Sequence, residues 1–258
     1  MQSLWQQTKI FLFKQSSSAI FGGVLLFFIA LSYFYMPSNI LRYDLLFLIA
    51  IITQIVFLYF KIETIKEVLI ILVFHIFAML MEIYKVSIGS WVYPNQAIFS
   101  IASVPLFTGF MYSAIGSYIF RAWKINKFRF INLPSNTSLL LLGLGIYINF
   151  FTNHYIYDFR YVILAIAILL FWKTKLYVEI TDKIVQINPL VANALSAFVI
   201  WLSEQAGTLF RIWSYPNQIL SWQPVSFDKY TSWYMLMIFS FIIITILSKD
   251  QNSKNNNS

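Results

Sequence analysis

The sequence predicts an all-α polytopic membrane protein, a bundle of about eight transmembrane helices, on three observations. Of 258 residues, 59% are hydrophobic and only 11% charged, whereas soluble chains carry roughly 25% charge. Mean hydropathy is +0.71. The 18 Lys and Arg and 10 Asp and Glu are gathered between long uncharged stretches, which leaves too little charge to cover a water-facing surface. A soluble globule is excluded.

About 20 apolar residues, rising ~1.5 Å each, cross a hydrocarbon core of ~30 Å. Eight stretches fit, running approximately Ala19 to Met36, Asp44 to Phe60, Glu67 to Lys85, Gln96 to Phe120, Ser135 to Asn153, Asp158 to Trp172, Pro189 to Ile212 and Tyr230 to Leu247. In the first, Lys9 and Lys14 precede an apolar run as in a signal peptide, but no small-residue cleavage site follows Ser32 to Met36, so a retained helix is expected. The sixth is the shortest: Arg160 and Lys173 leave 12 uncharged residues between them, and its ends must snorkel to cross.

Threaded through eight spans, 13 of the 18 basic residues fall on the side of the N-terminus. The other side holds Arg42, Lys85, Arg160, Arg211 and Lys229. Basic residues concentrate in cytoplasmic loops, so both termini are expected in the cytoplasm. The same loops account for the net charge of +8, and no nucleic-acid partner is expected. Without cysteine there are no disulfides, thiolate metal sites or cysteine nucleophiles. The tail from Lys249 to Ser258 is polar and Asn-rich, an expected disordered segment.

Compared with itself, the chain repeats. Glu82, Trp91, Tyr93, Pro94, Asn95 and Gln96 recur as Glu204, Trp213, Tyr215, Pro216, Asn217 and Gln218, each 122 positions on. This places the third span over the seventh and the fourth over the eighth. The expected organisation is two four-helix halves, 1–130 and 131–248, in one integral membrane domain. Four crossings return the chain to its starting side, so the repeats are parallel. Tyr43-Asp44 against Tyr157-Asp158 is a fainter match between the first helices of each half.

Both glutamates fall roughly 22 Å along their helices, in the outer third of the bilayer. An acidic residue inside a membrane costs about 2.5 to 3.5 kcal/mol on insertion scales and should face protein, a cation or a watery vestibule. Lys85 at i+3 from Glu82 is one candidate partner, and Arg211 at i+7 from Glu204 another. The two Trp-x-Tyr-Pro-Asn-Gln segments read as outer loops, because proline turns its predecessor away from helix. Their aromatics, Trp91, Tyr93, Trp213 and Tyr215, with Asn95 and Asn217, either anchor at the interface or dip inward to line a shared outward-facing cavity.

His75 lies two turns before Glu82 on the same face. A proton relay and a helix-to-helix hydrogen bond are both open to it. With two histidines and no cysteine no metal site and no cofactor are expected. His154, Asp158 and Arg160 lie in an outer turn, either solvated or rimming the vestibule. Gly109, Ser113 and Ser117 form a small-xxx-small stripe that lets helices approach. Pro105 should kink or break the fourth span, as Pro224 should the entry to the eighth. Asn149 and Asn153 add polar groups that need partners. No phosphate-binding loop, nucleophile elbow or Ser-x-x-Lys site in a supporting context is present.

The segments Met81-Glu82-Ile83-Tyr84-Lys85 to Gly89-Ser90-Trp91-Val92-Tyr93-Pro94, Val104-Pro105-Leu106 to Gly109-Phe110-Met111-Tyr112 with Gly116-Ser117-Tyr118, and Trp201-Leu202-Ser203-Glu204 to Tyr215-Pro216-Asn217-Gln218 resemble the YoaT-type family of bacterial multi-pass membrane proteins. The likeness spans nearly the whole chain and implies a bacterial plasma membrane, with no chemistry attached. A more distant, partial likeness links the order acid, Trp-x-aromatic, Pro-led helix to integral-membrane lycopene cyclases and carotenoid hydratases. There, acidic residues protonate a polyene. Their pattern pairs proline with two adjacent acids, and here only Asp228 follows Pro224, four positions on.

Three functions follow as expectations. Glu82 and Glu204 bind a cation or small solute for transport, or one of them acts as general acid on an isoprenoid lipid, or they only lock helices in a scaffold. Beyond paired carboxylates nothing speaks for catalysis. The expected partners are the lipid bilayer and a small solute or isoprenoid, and the sequence leaves the oligomeric state open.

Overall fold

A computed structural model describes residues 4–37, 39–180 and 183–255. Among these, a helix stands at each of the eight expected positions, and a further one precedes them. In order they are α1 Leu4–Ser18, α2 Ile20–Tyr35, α3 Arg42–Tyr59, α4 Ile65–Ser87, α5 Phe107–Ile125, α6 Asn136–Thr152, α7 Arg160–Phe171, α8 Pro189–Leu209 and α9 Asp228–Asn255. Five short strands join them: β1 Ser100–Ile101, β2 Val104–Pro105, β3 Arg129–Ile131, β4 Lys175–Glu179 and β5 Ile184–Ile187.

By length and composition, α3, α4 and the Asp228–Leu247 part of α9 suffice to cross a membrane, and α1 with α2, bent by 70°, make a fourth if taken as one span. This is a membrane protein. The finer expectation of eight full spans meets shorter helices: α6 and α7 are apolar but brief, and the 12 residues of α7 rise only ~18 Å. Of the expected unstructured tail, 249–255 continue α9, and 256–258 lie outside the described residues.

The fourth expected span does not begin at Gln96. Its first part is a β1–β2 hairpin pairing Ser100 with Pro105 and Ile101 with Val104, and α5 starts only at Phe107. Two features stop a helix there. Pro105 has no N–H to give a helical ladder. The Asp44 carboxylate, at the start of α3, accepts from the Ile98 and Phe99 amides at 2.9 and 3.0 Å, holding them extended.

The described chain forms two compact units, each drawing on both sequential halves. The first spans Ala19–Tyr118 and Val199–Lys229. Its core gathers Phe21, Leu25 and Ile29 of α2, Tyr43, Leu46, Ala50 and Phe57 of α3, Phe107 and Ile212. Arg42 ties this unit together. Its guanidinium donates to the Ile29 carbonyl at 2.9 Å, the Ser32 hydroxyl at 2.9 Å and the Phe210 carbonyl at 2.7 Å, so one buried cation joins α2 to the carbonyl just past the end of α8.

The α4 helix opens on a capping box between Thr64 and Glu67. It closes on Gly89 in the left-handed region, with Ser90 N bonded to Lys85 O and Gly89 N to Val86 O, a Schellman ending. α8 closes the same way on Arg211, 122 residues after Gly89.

The second unit takes its described residues from within Met1–Ser18, Ile119–Phe198 and Tyr230–Ser258. In it β3, β4 and β5 form an antiparallel sheet in that order. Asn149 of α6 donates to Asp158 at 3.0 Å and accepts from Phe159 N at 2.9 Å, closing the α6–α7 hairpin. Tyr230 and Tyr234 of α9 donate to the Ala194 and Leu190 carbonyls of α8, both at 3.1 Å.

Candidate functional site

The two Trp-x-Tyr segments meet inside the first unit. Val92 and Ser214, the middle residues of the two motifs, form an antiparallel bridge in which each amide donates to the other's carbonyl, at 3.0 and 2.9 Å. Residues 122 apart thus face one another across a local two-fold. The bridge crosses the side chains over: the Trp91 ring meets the Tyr215 ring edge to face, 6.1 Å between centroids.

Below the first loop Glu82 is 3% exposed. Its Oε2 accepts from the Trp91 indole at 2.8 Å and the Tyr93 hydroxyl at 2.6 Å, and its Oε1 from the Tyr112 hydroxyl of α5 at 2.6 Å. All three donors are neutral. Below the second loop Glu204, 2% exposed, accepts from the Tyr215 hydroxyl at 2.5 Å. Trp213 turns to Tyr215 rather than repeating the indole-to-carboxylate bond, and Thr108 bonds Tyr93. What the two hubs share is a tyrosine hydroxyl 11 residues after each glutamate, Tyr93 on Glu82 and Tyr215 on Glu204.

Burial pushes the Tyr93 phenol well above its ordinary range, and the neighbouring Glu82 carboxylate adds to this. Burial does the same to Tyr215, followed by Glu204, with Glu82 also acting on it. Both carboxylates thus act on one phenol. In the unfolded chain tyrosine ionises near pH 10. Because the folded values lie higher, stability from these phenols is fully present below about pH 10 and is lost as pH rises beyond it. Thermal melts between pH 8 and 12 should show this loss, reduced in Tyr93→Phe and Tyr215→Phe.

The other expected site residues take varied places. His75 packs its ring on α5, with Nδ1 3.4 Å from the Ser113 hydroxyl, at Gly109 where a side chain would collide with it. Lys85 is buried, its Nζ 5.6 Å from the centre of the Tyr84 ring. Arg211 is exposed at the end of α8. Asn95 is exposed and bonds the Tyr43 hydroxyl, while Asn217 is exposed and donates to Gln223 at 3.3 Å. Its neighbour Gln218 is the buried one, closing the turn onto the Tyr215 amide at 3.2 Å. Lys229 stands over the Tyr215 ring, 4.4 Å from its centre.

Two contacts lay outside the sequence reading. Tyr112 completes the Glu82 hub, and the signal for it was present: Tyr234 stands 122 residues on. The Tyr234 hydroxyl goes instead to Leu190. Glu63 and Ser117 form the second overlooked contact. The Glu63 carboxylate is 2% exposed, accepting from Ser117 and from Gln54. Beside Thr64 this acid reads as an ordinary helix start.

A family model described as a protein of unknown function, DUF817, matches residues 7–241. The chain belongs to the DUF817 family. It is similar to the uncharacterized protein YoaT of Bacillus subtilis (strain 168), 34% identical over 236 residues that cover 92% of this chain and 89% of that one. The region matched by the DUF817 model contains both glutamates, both Trp-x-Tyr-Pro-Asn-Gln segments and the α4–α5 contact. No solved structure matches the chain.

Proposed function

We propose that the protein binds a small solute or cation at Glu82 and Glu204 and moves it across a bacterial plasma membrane. One observation carries this reading: Glu82 is buried in a membrane protein, and its hydrogen-bond partners are an indole and two phenols. Neutral donors solvate a carboxylate but leave its charge in place, which makes the site attractive to a cation. A hub that only locked helices would gain nothing from that charge. Eight spans in two parallel repeats, 1–130 and 131–248, with both termini cytoplasmic, fit the distribution of basic residues and put both loops on the outer face. Transporters built from repeats hold their ligands where the repeats meet.

Purified protein in liposomes on a solid-supported electrode tests the reading through concentration jumps in H⁺, Na⁺ or K⁺. One of these should drive a transient current in the wild type, and Glu82→Gln and Glu204→Gln should abolish it. Currents unchanged in both variants would overturn the reading. No current, together with an isoprenoid co-purifying by mass spectrometry, would transfer the site to a lipid-binding or enzymatic role. The chain has no cysteine, so Asn95→Cys reports orientation directly. Modification from the outside is expected, and modification only from the cytoplasm would reverse the topology.

A further inference from the structure

We infer that the cation is a proton, and that it travels along the seam between α4 and α5 from Glu63 at one end to Glu82 at the other. The inference rests on the proposed cation role of Glu82 and adds the identity of the ion and its route.

The identity follows from how Glu82 is enclosed. Two donors already occupy Oε2, and one of them, the Trp91 indole, can only donate. Oε1 has a single donor, Tyr112. A phenol both donates and accepts, so a proton arriving on Oε1 is accommodated when the Tyr112 hydroxyl turns to accept from it. No side chain has to leave. A metal ion demands several oxygen ligands around it and would displace the Trp91 and Tyr93 hydrogen bonds that hold the carboxylate.

The route follows from what the two helices place against each other. Along α5, Gly109, Ser113 and Ser117 of the predicted packing stripe, and Gly116 beside it, each meet a residue of α4 or its entry loop. Gly109 and Ser113 face His75, Gly116 faces Ile71, and Ser117 donates to Glu63. Small residues of α5 therefore meet two protonatable groups, Glu63 and His75, and Tyr112 of the same helix reaches a third, Glu82. Around His75 the seam presents Gly109, Phe110 and Ser113 from α5. Along α4 its titratable neighbours are Glu82 two turns toward one end and Glu67 two turns toward the other.

A neutral imidazole accepts a proton on one nitrogen and releases one from the other, which suits a middle station. Ser117 and Ser113 are one helical turn apart, roughly 6 Å of rise, and His75 and Glu82 two turns, roughly 10 Å. No side chain bridges these intervals, so the route requires water hydrogen-bonded to the polar groups there. Ile71 against Gly116 is the apolar constriction, so transfer should be slow and gated, unlike flow through an open pore.

Currents from liposomes test this with pH jumps at constant Na⁺ and K⁺, and with Na⁺ and K⁺ jumps at constant pH. The pH jump alone should drive current in the wild type. His75→Phe, which keeps a ring over Gly109, and Ser113→Ala, which keeps the helix contact, should reduce that current to the leak of empty liposomes while their thermal melts stay near wild type. A Na⁺ or K⁺ current abolished in Glu82→Gln would overturn the proton and leave the cation site standing. A pH-driven current that persists in both seam variants would overturn the route. No current from any jump would remove this inference and the transport reading together.

Discussion

Glu82→Leu is expected to unfold the protein at temperatures where Glu82→Gln remains folded. Leucine matches glutamate in bulk but accepts no hydrogen bond, so Trp91, Tyr93 and Tyr112 would each lose a buried acceptor. An orphaned buried donor costs about 1–3 kcal/mol, and three together should remove at least about 3 kcal/mol. Glutamine restores the pattern. Its carbonyl accepts from Trp91 and Tyr93, and its amide donates to the Tyr112 oxygen. Thermal or denaturant unfolding in detergent should therefore place Glu82→Gln within about 1 kcal/mol of wild type, with its ion-driven current gone. A Gln variant as unstable as the Leu variant would mark the negative charge itself as structural.

The second large effect inverts a general rule. Replacing glycine by alanine inside a helix ordinarily stabilises it by about 0.5–1 kcal/mol, and Gly145→Ala in α6 should do so, because nothing lies within 4 Å of the added methyl. Gly109→Ala should instead cost about 1–3 kcal/mol or more, as overpacking does. The new Cβ would stand 2.0 Å from His75 Cε1 and 2.2 Å from its Nε2. Either the imidazole must swing out of the seam or α4 and α5 must part. Gly207→Ala meets the same obstacle, with Trp213 Cη2 at 2.5 Å. Melting curves of the three variants separate the cases: a Gly109→Ala protein as stable as Gly145→Ala would mean that the α4–α5 contact is loose.

The helices were legible because charge is costly in lipid, so uncharged runs announce them one by one. The run Ser135 to Asn153 became α6 over Asn136–Thr152 with little else required. Legibility failed at Gln96 to Phe120, where an equally apolar run hides a hairpin. The extended backbone there answers to Asp44, more than fifty residues earlier. The strands β3 to β5 were missed for a related reason: in short basic segments, strand and loop look alike until a partner strand is present. Within the candidate site, Glu82, Trp91 and Tyr93 lie within 11 positions of each other and recur, so their association was readable. Ser117 and Glu63 are joined only by the packing of α5 on α4, and neither residue is unusual where it stands.

By itself the sequence determined the membrane class, the order of eight of the nine described helices and the approximate bounds of most of them, and the two glutamates set where an ion is costly. These are sums over neighbouring residues, and burial in lipid depends on such sums. Only the tertiary structure decided which groups surround each carboxylate. It gave Glu82 two phenols and an indole, gave Tyr215 to Glu204, and turned a stripe of glycine and serine into a line of contacts with His75 and Glu63. Hydrogen-bond partners depend on which helix faces meet and in which register, and that geometry is fixed by long-range packing.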